Sequence, residues 1–375
     1  MSAFPYYDTA AIAALKAQTD QMLALFIDHG YAQEEPSLLQ PADLFLDRSG
    51  EEIRRRTFTL TDFSGRDLAL RPDLTIPICK QVVDSQRPLP ARICYHGLAF
   101  RHQPGEPARS TQFYQAGIEL LGLEDRARAE QEILSLTIGA LKAAGLKDFS
   151  LRIGDLSLFG ALVDGLSLPK QWRWRLKRHF WRPGYVEALL HWLGHDGNAV
   201  PPATREEIEA QIDAAGDAPL AGRSRQDIVA RALERAREAA ALKLEPRVAD
   251  AIARLLDISG PAPDALVRIR ALLKTAGITL DAELAAMEAR LQALTELGID
   301  PAQVQFTAHF GRNMEYYTGF VFELWSKDRE GPVQVAGGGR YDTLMELLGA
   351  KTPVSAIGCA IRTERVLAAT GVQGC

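Results

Sequence analysis

The chain has 375 residues, a length that favours two or three structural units over one. Hydrophobic residues make up 47% and charged residues 24%, as in ordinary globular proteins, and the formal net charge of -5 provides no global attraction for nucleic acid. The 4 cysteines include no C-x-x-C pair, which argues against zinc or a disulfide framework, and no apolar run reaches the roughly 20 residues of a membrane helix.

The N-terminal segment predicts a helix and no signal peptide. "MSAFPYYDTAAIAAL" lacks a basic stretch followed by an apolar core, so we expect a cytoplasmic protein. Apolar residues recur at helical spacing after Asp8, which is a suitable capping residue, and this pattern predicts a helix over 8–30.

Alternating runs then predict strands. Residues 53–70 have a hairpin pattern with a Ser-Gly turn, and "RPDLTIPICKQVV" predicts a turn followed by a short helix. "ARICYHGLAFRH" and "TQFYQAGIELLG" predict two strands on either side of a polar loop at 103–110. A helix ending at Gly145 and the strand "FSLRIGD" follow.

The composition changes in the middle of the chain. From about 165 to 300 the sequence is rich in Ala, Leu, Arg and Glu and has a helical pattern, and β patterns return at 303–325. We therefore predict an α+β protein with a core formed by 1–165 and 301–375 and a helical insertion over 166–300.

"RPDLT" carries two polar side chains beside a proline. Asp73 and Thr75 would complement an ammonium group, because a carboxylate and a hydroxyl accept N–H bonds. The alternative is that either residue caps the helix that begins near Ile76.

The strand–loop–strand at 100–119 places polar groups on one strand face. Gln115, Gly117 and Glu119 share a face because strand side chains alternate, and Arg101 and Arg109 flank the loop with guanidinium groups that suit phosphates and carboxylates. A buried Gln and Glu would need partners, whereas a solvated hairpin face would not.

"FGRNMEYYTGFVFELW" places Arg312, Tyr316 and Tyr317 just before a half-buried strand. The spacing leaves open a ligand site or an ordinary strand with tyrosines. "VAGGGRYDTLMELLG" has glycines that allow close approach of a ligand or close packing of the backbone, and it has neither the P-loop nor the dinucleotide spacing.

"KQWRWRLKRHFWR", residues 170–182, interleaves tryptophan with basic residues. It fits a nucleic-acid surface, and it fits an amphipathic helix with tryptophans packed inward and basic residues in solvent. The acidic total charge favours the helix, so we expect no nucleic-acid partner.

Taken together, these stretches resemble class II aminoacyl-tRNA synthetases, and most of all histidyl-tRNA synthetases. "GRNMEYYTGFVFELW" is similar to the family's R-G-L-D-Y-Y-x-x-x-V-F-E signature, "AGGGRYDTL" to A-G-G-R-Y-D-x-L, and "LRPDLT" to L-R-P-E-x-T. "AFRHQPGEPARSTQFYQAGIELLG" resembles motif 2, and "IGCAIRTERV" lies where motif 3 is expected. The resemblance implies an antiparallel sheet flanked by helices and a homodimer formed through motif 1, near "GYAQEEPSLL".

The resemblance also implies a histidine site without metal or cofactor. Asp73, Thr75 and Gln115 would meet the α-ammonium, and Arg312 the carboxylate. Glu119 and Tyr316 would meet the imidazole, and Tyr317 would line the pocket.

The departures from the family concern the nucleotide site and the C-terminal end. Gln103 stands where motif 2 has Glu, and Arg362 stands where motif 3 has Gly. We expect a degenerate nucleotide site, no catalytic residues and no anticodon-binding domain. The residues of that nucleotide site are Arg101, Gln103, Arg109, Arg362 and Arg365.

This combination resembles the regulatory subunits of ATP phosphoribosyltransferase. It implies a short-form catalytic subunit as partner, histidine as ligand, and feedback in the first step of histidine biosynthesis. The alternative is a free-standing ligase that activates histidine for an acceptor other than tRNA.

Overall fold

The computed structural model of the protein describes residues 6–46, 51–103, 110–166, 168–180, 183–191, 193, 229–231, 233, 244–310 and 316–371. The chain forms two compact units. The first comprises Met1–Ser157, Ser259–Leu266 and Ala282–Cys375, and the second comprises Leu158–Ile258 and Val267–Asp281. Residues from Ala282 onward therefore belong to the first unit, whereas the insertion predicted from the sequence extends to residue 300.

The described helices alternate with strands in the first unit and dominate the second. They are α1 (Thr9–Asp28), α2 (Asp43–Leu46), α3 (Glu51–Arg56), α4 (Thr75–Asp84), α5 (Arg126–Ala143), α6 (Leu156–Asp164), α7 (Lys170–His179), α8 (Pro183–His191), α9 (Pro246–Leu256), α10 (Ala262–Ala276), α11 (Asp281–Glu296), α12 (Asp342–Leu347) and α13 (Thr363–Ala369). A 3-10 turn covers Pro301–Gln303.

The strands of the described residues form two sheets in the first unit. They are β1 (Ala32–Gln33), β2 (Leu39–Pro41), β3 (Phe58–Thr61), β4 (Asp67–Leu70), β5 (Ala91–Phe100), β6 (Gln112–Leu121), β7 (Ser150–Asp155), β8 (Ser259–Pro261), β9 (Gln305–Thr307), β10 (Phe320–Asp328), β11 (Gly331–Arg340) and β12 (Ala356–Arg362). One sheet has the order β1-β5-β6-β12-β11-β10-β7-β9-β8, and the other has the order β2-β4-β3.

The large sheet is mixed. β1 runs parallel to β5 and β7 runs parallel to β9, whereas the pairs between β5 and β7 along the sheet are antiparallel. The sheet is therefore mostly antiparallel, and the two parallel pairs, β1–β5 and β7–β9, lie towards its edges. The central strands β6 and β12 are mostly buried, as is the second half of β11, and these strands carry polar residues described below.

Helix α1 begins where the sequence predicted. The Asp8 carboxylate accepts a hydrogen bond from the Ala11 amide at 2.8 Å, and buried Leu15, Met22 and Phe26 form the face that packs on the unit's core. The helix ends at Asp28, and Gly30 follows with φ +83°, a conformation that glycine adopts without strain.

The hairpin predicted over 53–70 is wrong at its start. Glu51–Arg56 is helical, and the strands are Phe58–Thr61 and Asp67–Leu70. The short β pattern there was ambiguous, because a few residues do not distinguish period two from period 3.6. The turn itself is as predicted, since the Asp62 carboxylate accepts the amides of Ser64 and Arg66 at 2.8 and 2.9 Å.

The glycine run of β11 serves close strand packing. Gly338 lies opposite Cys359 and Gly339 lies opposite Gly358 on β12. A Cβ on Gly338 would lie 2.4 Å from the Gly358 carbonyl oxygen. This contact brings β11 and β12 together directly beside the polar cluster.

The described part of the second unit is helical. In α7, Leu176 is buried, and Arg175 stacks on Trp172 and Tyr185. Trp174 is 56% exposed, so the expectation that the tryptophans of this helix pack inward is wrong for this residue. Over the described residues, no helix combines the length and apolar character that crossing a membrane requires.

Candidate functional site

Asp73 provides a buried carboxylate with one unused oxygen. The residue is 1% exposed, and its Oδ1 accepts a hydrogen bond from the Ile76 amide at 3.1 Å at the start of α4. Its Oδ2 is buried and has no hydrogen-bond partner among the described residues. The capping interpretation therefore accounts for one oxygen only. Burial raises the pKa of Asp73, and the positive charge of Arg101 opposes this effect.

Glu119 lies at the centre of the polar cluster. It is fully buried on β6, and its Oε1 accepts hydrogen bonds from the Thr75 hydroxyl at 2.7 Å and the Tyr95 hydroxyl at 3.1 Å. The Tyr341 hydroxyl donates to its Oε2. Burial raises the pKa of Glu119 to about 8, while these hydroxyl donors act in the opposite direction. A largely protonated carboxyl group at neutral pH follows.

Glycines make room for this carboxyl group. A Cβ on Gly358 would lie 1.6 Å from Glu119 Oε2, and a Cβ on Gly117 would lie 2.4 Å from the Tyr95 hydroxyl oxygen. Tyr95 lies directly opposite Gly117 in the β5–β6 pairing. The tyrosine ring therefore fills the space that the missing side chain leaves.

Gln115 belongs to the same cluster. It is 1% exposed, and its side-chain amide donates to the Tyr95 hydroxyl at 3.3 Å. The alternative of a solvated hairpin face is wrong, because Gln115 and Glu119 are both buried and both hydrogen-bonded. Thr75, which was predicted to meet an ammonium group with Asp73, donates its hydroxyl to Glu119 in this structure.

Tyr316 and Tyr317 form an aromatic wall next to Glu119. The Tyr316 ring is tilted against the Tyr317 ring at 5.1 Å between centroids, and it meets the Tyr341 ring edge-on at 5.7 Å. Burial raises the pKa of both tyrosines, so both hydroxyls are neutral donors. Arg312, the predicted carboxylate ligand, lies outside the described residues.

The predicted nucleotide-site residues contact other parts of the protein. The Arg101 Nε donates to the Pro72 carbonyl at 2.7 Å, and the Arg362 guanidinium carbon lies 3.4 Å from the centroid of the Phe113 ring. Gln103 accepts from Arg56 at 3.4 Å. Arg365 Nη1 donates to the Gln334 carbonyl at 2.9 Å. Arg109 lies outside the described residues.

A chain of ion pairs adjoins the polar cluster. Arg290 contacts Asp155 and Glu130, the latter at 2.7 Å, and Glu130 also accepts from Arg340 at 3.0 Å. Arg340 in turn lies 3.3 Å from Asp342. Because Tyr341 stands between Arg340 and Asp342 in the chain, these pairs fix the backbone from which its hydroxyl reaches Glu119.

Tyr95, Tyr341 and Gly358 were not among the site residues predicted from the sequence. Tyr95 contacts Glu119 from the neighbouring strand β5, whereas Tyr341 and Gly358 approach it from segments far along the chain. The pairing of Gly117 with the large residue Tyr95 could have indicated the contact, but it is recognisable only when the strand register is known. No cluster of three or more His, Cys, Asp or Glu side chains suited to a metal occurs in the part of the chain that the structure describes.

Comparison with known proteins places this fold in a class. The family model of histidyl-tRNA synthetase matches residues 7–239 and 212–366. The solved apo histidyl-tRNA synthetase of S. aureus shares the fold with a TM-score of 0.57 and 20% identity, covering 99% of this chain and 74% of that chain. The protein is therefore a class II, histidyl-tRNA synthetase-like protein.

The curated relatives define the particular family. The ATP phosphoribosyltransferase regulatory subunit of Chelativorans sp. (strain BNC1) is 34% identical, covering 94% of this chain and 96% of the relative. The protein of that name from Mesorhizobium japonicum is 33% identical, covering 96% and 98%. A solved ATP phosphoribosyltransferase regulatory subunit/histidyl-tRNA synthetase from Bacillus halodurans C has a TM-score of 0.68 at 25% identity, covering 98% of this chain and 82% of that chain. The chain belongs to the ATP phosphoribosyltransferase regulatory subunit family.

Proposed function

We propose that this chain is a non-catalytic regulatory subunit that assembles with the short-form catalytic subunit of ATP phosphoribosyltransferase in the first step of histidine biosynthesis. The observation that carries this proposal is the end-to-end similarity to regulatory subunits, with 34% identity over 94% of the chain. The cytoplasmic location stays a prediction from the sequence.

The activity of the catalytic subunit tests this proposal. The two chains should co-purify when they are expressed together, and the catalytic subunit should turn over faster with this chain than alone. A catalytic subunit that neither binds the chain nor changes its rate would contradict the assignment.

We further propose that the polar cluster binds histidine as the feedback signal. The unused Asp73 Oδ2 is an acceptor suited to an α-ammonium group, because a buried carboxylate oxygen without a donor costs free energy that a cation removes. Glu119, Tyr316 and Tyr317 provide polar groups on an aromatic wall, which suits an imidazole. Feedback would follow if histidine bound two states of the complex with different affinities.

Calorimetry with the purified chain tests the ligand. Asp73→Asn should weaken histidine binding by about 1.5 to 3 kcal/mol, the scale of a hydrogen bond to a charged group. Asp84→Asn, at the other end of α4, is the control because Asp84 pairs with Lys80 at the surface. Equal affinities for the two variants would refute the ammonium assignment.

The nucleotide site supports loss of synthetase activity. The Arg362 guanidinium, which stands where the synthetase motif has a glycine, stacks on the Phe113 ring at 3.4 Å from its centroid and occupies space beside the predicted nucleotide site. The alternative, a ligase that activates histidine for another acceptor, predicts histidine-dependent exchange of pyrophosphate into ATP. Exchange at the rate of a synthetase would contradict the regulatory proposal.

A homodimer through the synthetase-like core is also part of the proposal. One face of the small sheet is entirely apolar, and its residues are all half-buried or exposed. They are Leu39, Pro41, Phe58, Leu60, Leu68 and Leu70. The face adjoins "GYAQEEPSLL", where the resemblance places the dimer contact, and an exposed apolar face of this kind is typical of protein–protein contacts.

A pair of lysine substitutions on neighbouring residues tests the dimer. Leu60→Lys places a charge on the apolar face, and Thr59→Lys places the same charge on the opposite face of the same strand. Light scattering should report a monomer for Leu60→Lys and a dimer for Thr59→Lys. A dimer in both variants would exclude this face.

A further inference from the structure

A buried arginine lies directly before the Asp73 turn. Arg71 is 0% exposed, and its guanidinium donates in three directions. Its Nε donates to the Leu98 carbonyl at 2.6 Å, its Nη1 donates to the Pro36 carbonyl, and its Nη2 pairs with Glu35 at 3.1 Å. One side chain therefore joins β5, the 35–36 segment and the turn that precedes α4.

Hydrogen bonds also hold the backbone of the same turn. The Arg71 amide donates to the Leu38 carbonyl at 3.0 Å, and the Arg71 carbonyl accepts from the Phe100 amide at 3.0 Å. Arg101 then donates to the Pro72 carbonyl at 2.7 Å. The next residue is Asp73, so its backbone position follows from contacts made by the two residues before it.

The protein makes space for this guanidinium. A Cβ on Gly97 would lie 2.2 Å from Arg71 Nη2 and 2.9 Å from Glu35 Oε1. Burial of the guanidinium also costs desolvation, which packing by an apolar residue would avoid. A contribution to folding stability therefore explains the buried Arg71 poorly. The planar guanidinium of an arginine is needed to hold three segments in one geometry.

We propose that Arg71 is a positioning residue of the ligand site and that the Glu35–Arg71 pair fixes the turn that aims the unused oxygen of Asp73 at the ammonium group of a bound amino acid. The proposal rests on the proposed function of the cluster as a histidine site. The Glu35 side chain is 59% exposed, so a change at the surface that breaks the Glu35–Arg71 pair would change the affinity of the buried site. Arg71 itself does not touch the ligand.

Two ligands distinguish a positioning role of Arg71 from a general loosening of the binding site. Histidine carries the α-ammonium, and 3-(imidazol-4-yl)propionate lacks it and keeps the imidazole and the carboxylate. Glu35→Gln should weaken histidine binding about fivefold to tenfold, because the turn loses its charged partner, and should leave binding of the propionate unchanged. Gly97→Ala should give the same selective loss by displacing the guanidinium.

Glu34→Gln is the matched control. Glu34 is the adjacent carboxylate, and it pairs with Arg87 instead of Arg71. This variant should bind both ligands as the wild type does. Equal weakening of both ligands in Glu35→Gln, or no weakening of either, would overturn the positioning role.

Amide exchange provides a readout without ligand. The Phe100 amide reports on the Arg71 carbonyl, and the Ile76 amide reports on Asp73. The Ser85 amide, which bonds to the Gln81 carbonyl at 3.0 Å at the far end of α4, is the third amide and the internal reference. In Glu35→Gln the first two amides should exchange about tenfold faster and the third should not change.

If wild type binds neither ligand, the proposed function fails, and these rates alone decide whether Arg71 fixes the turn. Unchanged rates overturn the proposal in either case.

Discussion

Replacing Glu119 by glutamine should remove a large pH dependence of stability. Burial raises the pKa of Glu119 from 4.5 to about 8. Between these values the folded protein holds a proton that the unfolded chain has released. The free energy of unfolding therefore falls as the pH rises from the lower value to the higher one.

The magnitude follows from the size of that difference. Each tenfold change in a protonation equilibrium corresponds to about 1.4 kcal/mol, so the wild type should lose about 4 kcal/mol between about pH 5 and pH 8 through this group. Glutamine has no proton to exchange. Its amide oxygen keeps the acceptor for Thr75 and Tyr95, and its NH2 group can donate to the Tyr341 oxygen, so the variant should fold.

Urea unfolding at intervals over this pH range measures the effect. The difference in unfolding free energy between wild type and Glu119→Gln should change steadily with pH. Glu346→Gln, an exposed carboxylate on α12, should follow the wild type. Parallel profiles for wild type and Glu119→Gln would refute the reasoning, because they would show that the buried group ionises as it does in the unfolded chain.

Two further substitutions test how the cluster is held. Gly358→Ala should lower the unfolding free energy by about 3 kcal/mol or more, because its Cβ would lie 1.6 Å from the buried Glu119 carboxylate. Gly160→Ala, which has nothing within 4 Å, should be neutral or slightly stabilising in its helix, and equal midpoints for the two would contradict the steric argument. Arg340→Leu should cost about 3 kcal/mol because it removes the buried cation that contacts Glu130 and Asp342 and leaves Glu130 with Arg290 alone, whereas Arg126→Leu, from a side chain that is 64% exposed, should cost less than about 1 kcal/mol. Urea unfolding measures all four variants, and similar losses for the two arginine variants would show that the buried pairs contribute little.

Local patterns predicted most of the individual elements. The β5–β6 strand pair follows from two alternating runs around a polar loop, and α1 follows from its apolar period and Asp8. The prediction failed at Glu51–Arg56, where a few residues of mixed pattern became a helix. The local patterns also did not indicate the two parallel pairs of the large sheet, β1 with β5 and β7 with β9. Parallel pairing joins segments that are far apart in the chain, and no local period encodes it.

Candidate residues followed from chemistry, but their partners did not. The alternation of β6 placed Gln115 and Glu119 on one face, and the polar character of that face demanded partners. Tyr95 and Tyr341 are those partners, and they come from residues 24 and 222 positions away from Glu119. Only the strand order β5-β6-β12-β11 brings them to the same carboxyl group.

The sequence by itself determined the kind of protein this is, because the motifs that carry the resemblance are short, ordered and made of adjacent residues. It also placed Asp73, Thr75 and Glu119 among the candidates. The tertiary structure decided the state of those groups: it left one oxygen of Asp73 unused and raised the pKa of Glu119 to about 8. Both properties arise from burial of the side chain within the folded unit, so they depend on what surrounds each side chain in space and not on its neighbours in the chain.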